Sequence, residues 1–165
     1  MIDPPVNFGK WLGFAMNFRS HAELTPGKHL AESYWRMRLE ELGLACRISE
    51  AAGQADGVRE AFDLLMLAPP GLHKHLSQHL VEAKIDAMLA TGAYESAALS
   101  LLPRSAGYML SRGPSGEHLA TVILPESQQE RIAGGATAAL ALIAALMAEL
   151  ADLFPIGAQG SASLN

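Results

Sequence analysis

From Gly134 to Phe154 the chain reads GGATAALALIAALMAELADLF, apolar or small at nearly every position until Glu149. On a wheel of 100° per residue, Leu140, Leu142, Ile143, Leu146, Met147, Leu150, Leu153 and Phe154 gather within an arc of about 160°. Ala138, Ala141, Ala145 and Ala148 lie opposite. A surface helix would carry charge there, so the pattern predicts a core helix, covered on its large face and approached closely on its small one. The uncharged part, Gly134 to Ala148, is shorter than the ~20 residues a bilayer span requires.

The remaining periodicities predict elements around this helix. Thr25 and Pro26 supply an N-cap and a first-turn proline for a helix from Gly27 to Leu42, ended by Gly43. Its buried face would hold Leu30, Ala31, Tyr34, Trp35, Met37, Leu39 and Leu42, with Glu32, Arg36 and Glu40 as a solvated ladder opposite. Leu44 to Ser49 alternates like a half-buried strand and places Cys46 in the core. In residues 58–67, Phe62, Leu64 and Met66 fit a strand while Val58, Phe62 and Leu65 fit a helix; the strand is favoured. Pro69, Pro70 and Gly71 precede a helix from Leu72 to Ala90 closed by Gly92, and a short helix from Tyr94 to Leu102 ends at Pro103. Tyr108 to Ser111 and His118 to Leu124 read as strands joined by the turn sequence RGPSG, residues 112–116. The polar ESQQER then leads into the core helix.

Together these give an α+β fold with an antiparallel sheet of about four strands, in one domain spanning residues 1–165. It divides into an aromatic arm (1–24), two helix-strand-strand-helix units (25–91 and 92–154) and a Gly/Ala/Ser-rich tail (155–165). The second unit, with GYMLSRGPSGEHLATVILP before GATAALALIAALMAEL, resembles small helix-strand-strand-helix sandwich domains of phage and prophage hypothetical proteins. The resemblance covers residues 94–153. It implies the fold and a bacterial or phage origin, and brings no catalytic residues with it.

Composition narrows the function. A net charge of −5 disfavours a phosphate-binding surface for nucleic acid. The single cysteine excludes an internal disulfide and a cysteine-rich zinc site. With a start that lacks a basic-then-apolar leader, it points to the cytoplasm. The arm concentrates Phe8, Trp11, Phe14 and Phe18, which must pack over their own domain or on a neighbouring subunit. Lys10 and Arg19 are too few cations for a membrane surface. The expected mode of action is protein contact as a homo-oligomer, with Trp11, Phe14, Phe18, Ala138, Ala141 and Ala145 as interface residues.

Chemistry has one competing candidate. On the helix expected from Leu72, His75, His79, Glu82 and Asp86 fall within about 60° of arc, so His75 and His79 could share a divalent ion with Glu82 as third ligand or general base. Gly134 and Gly135 at a helix start could offer N–H groups to an anion, but no phosphate loop or dinucleotide fingerprint accompanies them, and no cofactor is expected. Ser115 and His118 sit at a turn, outside the strand-turn-helix setting of a serine nucleophile.

Overall fold

The computed structural model describes residues 29–127 and 129–153. They form an α+β fold in which the expected core helix, α6 (Ala138–Asp152), separates five preceding helices from a three-stranded antiparallel sheet. The helices are α1 (Glu32–Ile48), α2 (Gln54–Met66), α3 (Pro70–Ser77), α4 (Glu82–Ala90) and α5 (Tyr94–Leu101). The strands β1 (Gly107–Arg112), β2 (His118–Ile123) and β3 (Glu130–Gly135) pair in chain order.

The first expected unit contains no strand: the Leu44–Ser49 and 58–67 segments are both helical. Gly43 does not end α1. A Cβ there would stand 3.4 Å from Met147 Cβ and 3.6 Å from the Ala144 carbonyl oxygen, so this glycine lets α1 lie close against α6. Residues 58–67 belong to α2, and the winning pattern is Val58, Ala61, Phe62 and Leu65, all buried at helical spacing. The helix expected from Leu72 to Ala90 is two helices. α3 packs on α2 and α4 packs on α5, and a straight rod cannot do both. Extended Val81 (φ −129°, ψ 112°) separates them, and the expected Gly92 closes α4 at φ +73°.

The second unit keeps its helix, hairpin and closing helix, and adds a strand. The RGPSG turn closes with Gly113 N–H donating to Glu117 O at 2.8 Å and Gly116 at φ +92°. β3 arises from ERIAGG, expected partly as loop and partly as helix start. Leu110, Ala120 and Ala133 are in register, and the buried Ala120 and Ala133 face α6; Met109, Thr121 and Ile132 form the next row, on the opposite face. A Cβ on Gly135 would come 2.7 Å from Ala141 N, so only glycine permits this approach of strand to helix. α6 then begins at Thr137, whose Oγ1 accepts from Leu140 N–H at 3.2 Å.

Both faces of α6 are covered from within the chain. Leu140, Leu142, Ile143, Leu146 and Met147 are buried, and so are Ala138, Ala141, Ala144 and Ala145. Glu149 is fully buried as well. Its Oε1 accepts from Leu124 N–H at 3.1 Å and from the Ser127 hydroxyl, fastening α6 to the turn after β2. Its Oε2 lies 3.7 Å from Arg131 Nε, and Arg131 also pairs with Asp152, which ties β3 to the end of the helix.

Candidate functional site

The expected metal group is not assembled. His75 lies in α3, His79 in the turn after it and Glu82 at the start of α4, with extended Val81 between them. Glu82 and Asp86 are taken by another partner: Arg59 on α2 lies 3.7 Å from Glu82 Oε1 and pairs closely with Asp86. No group of three or more His, Cys, Asp or Glu that could hold a metal ion occurs among the described residues. Gly134 and Gly135 are strand residues paired with β2 rather than the mouth of a helix. The Ser115 hydroxyl donates to Glu117, not to His118, and with the backbone N–H of Glu117 it holds that carboxyl below its ordinary range.

Of the expected interface residues, Ala138, Ala141 and Ala145 are buried inside the chain and cannot meet a partner. Ala141 and Ala145 have no accessible surface. Trp11, Phe14 and Phe18 lie outside the described residues.

The surface instead offers an apolar stripe on α1. Trp35, Leu39, Leu42 and Cys46 face inward; the Trp35 Nε1–H donates to Leu64 O at 2.7 Å, and buried Arg38 reaches Glu60 at 2.6 Å, so two polar contacts lock α1 onto α2. This leaves Tyr34 (43% exposed), Met37 (42%), Leu44 (61%) and Ile48 (74%) pointing outward within an arc of about 80°. Tyr34 and Met37 are therefore not part of the buried face expected of them. With Glu41 they repeat at 34, 37, 41, 44 and 48, the 3-4 spacing of a coiled-coil seam. Beside the seam stand Glu40, paired with Arg36 at 3.0 Å, and Arg47, which has no ion-pair partner among the described residues. A second exposed apolar patch, Met109 and Ile132, lies on the sheet face turned from α6.

The other concave feature is a cleft of about 790 Å³ bounded by α3, the loop after α5, the turn after β2 and the end of α6. Its floor is apolar, with Leu76, Leu124 and Leu150, and its rim carries Lys74, His75, His79 and Arg104, with Glu126 the one acid among its lining residues. A smaller cavity of about 240 Å³ shares His79 and Arg104 with it and adds Lys84. Nothing in the sequence announced this grouping, because Lys74 and Arg104 are thirty residues apart and meet only through the fold.

No family model matches the chain, and neither the curated proteins nor the solved structures contain a match to it.

Proposed function

We propose that the chain acts by protein contact as a homodimer, joined through the exposed seam of α1. The observation that carries this reading is the seam itself: four large apolar side chains in 3-4 register on a helix whose other side is fixed to the core. A second copy fits it by charge. With two α1 helices antiparallel about a two-fold axis near the middle of the seam, Glu40 faces the partner's Arg47, and the same pair recurs on the other side by symmetry. A parallel arrangement would set Glu41, within the seam, against the partner's Glu41. Contact over a 17-residue helix is about 25 Å long, the weak end of specific interfaces, so a dissociation constant on the order of micromolar is expected.

Light scattering across a concentration series tests this. The full chain should approach twice its monomer mass at tens of micromolar. Leu44→Lys should leave a monomer whose melting temperature matches that of the native chain when both are measured well below the dissociation constant, since the side chain is exposed in the single chain. Glu40→Arg should weaken association by about tenfold, and Glu40→Arg with Arg47→Glu should restore it. A strict monomer would overturn the reading. Failure of the double exchange to restore association would overturn the antiparallel arrangement.

A further inference from the structure

The cleft beside α3 is a second site, independent of the seam, and we infer that it binds a small organic anion: an oxyanion head, phosphate or carboxylate, on a short apolar body. The protein is acidic overall, yet the cleft and the adjoining small cavity collect Lys74, Lys84, Arg104, His75 and His79. Lys74, Lys84 and Arg104 have no ion-pair partner among the described residues, whereas Arg36, Arg38, Arg59 and Arg131 are all engaged by carboxylates. Lys74 and Arg104 on the cleft, with Lys84 on the adjoining cavity, give this part of an acidic protein a local positive potential that favours an anion.

His79 lines both cavities, with its Nε2 enclosed by protein atoms. Leu72 and Leu153, apolar lining residues that are only partly buried, offer nothing to a bare inorganic ion and a good surface to a hydrocarbon. The volume lies within the roughly 300–1,000 Å³ of small-molecule sites, and an apolar floor with few convergent polar groups is their usual construction. Arg104 supplies a planar fork suited to an oxyanion, with Lys74 as a point charge beside it.

Calorimetric titration of the full chain with octyl phosphate, octanoate, octanol and inorganic phosphate tests the assignment. At least one amphiphilic anion should bind at or below about 100 µM and at least about tenfold more tightly than octanol or inorganic phosphate; the tighter of the two identifies the head group. Arg104→Gln and Lys74→Gln should each weaken it by about tenfold without lowering the melting temperature, because both side chains are exposed. Affinity should also fall with added salt. Equal binding of octanol and the anions would overturn the inference, as would no binding by either anion up to about 1 mM. Unchanged affinity in the Arg104→Gln, Lys74→Gln double variant would overturn it too. Leu44→Lys should abolish dimerisation and leave anion binding intact, so failure of one site is distinguishable from failure of the other.

Discussion

Cys46 shows how a single side chain is settled by its neighbours. It faces inward from α1 where α2 crosses, and a Cβ on Gly57 would come 3.3 Å from its Sγ. Burial, with a smaller contribution from the negative charge of Glu60, pushes its pKa from 9.0 up to about 12. A thiol held neutral in this way is a packing residue and not a nucleophile. Because the unfolded chain ionises first, the stability gained by burying the neutral thiol is complete below about pH 9. It is lost as pH rises toward 12, at up to about 1.4 kcal/mol per pH unit. Urea midpoints measured from pH 7 to 11 should therefore fall more steeply for the native chain than for Cys46→Ala above pH 9, while parallel curves would show that the thiol is not so shifted. The alternation of Leu44, Cys46 and Ile48 predicts a strand with all three on its buried face; in the helix only Cys46 faces the core, while Leu44 and Ile48, four residues apart, point outward together.

At the level of the element, what the sequence disclosed depended on whether glycine was acting as a breaker or as a contact surface. The hairpin was legible because Gly113, Pro114 and Gly116 do what turn residues do, and α6 because its apolar run is long. α1 was cut short at Gly43, which serves close packing instead. That error hid the seam, since Tyr34 and Met37 were assigned to one element and Leu44 and Ile48 to another. β3 is hidden for a related reason: Ala133, Gly134 and Gly135 lack the branched side chains that mark strands, and Ala133 and Gly135 are small where α6 approaches. The cleft was not legible at all, as its cations come from segments distant in the chain. The alanine face of α6 was read as a contact surface, and its contacts prove to be internal. Ala145 has no free space around it, so Ala145→Leu should overpack the core and cost about 1 to 3 kcal/mol by chemical denaturation. A loss within about 0.5 kcal/mol would mean that this face is not tightly enclosed.

For the molecule as a whole, α6 is the common wall of the helical layer and the sheet, with α1, α2 and α5 on one side and β2 and β3 on the other. No helix among the described residues is long and apolar enough to cross a membrane, and most residues of α6 are buried within the fold. Since neither layer has another substantial surface to bury, they should unfold together. Tryptophan fluorescence of the Trp11→Phe chain, which reports Trp35 alone in the helical layer, and amide exchange in β2 should give one urea midpoint; two separated midpoints would show that the layers are independent. The position of α6 has a consequence for birth as well as for stability. Five helices are synthesised before α6, three of them packing directly on it, and some fifty residues separate the end of α5 from the end of α6. At about 5 to 20 residues per second the ribosome needs about 3 to 10 seconds to supply it. Throughout that interval Trp35, Leu39, Leu42 and Leu101 have no α6 to cover them, which makes the nascent chain, more than the finished protein, the form most in need of a chaperone.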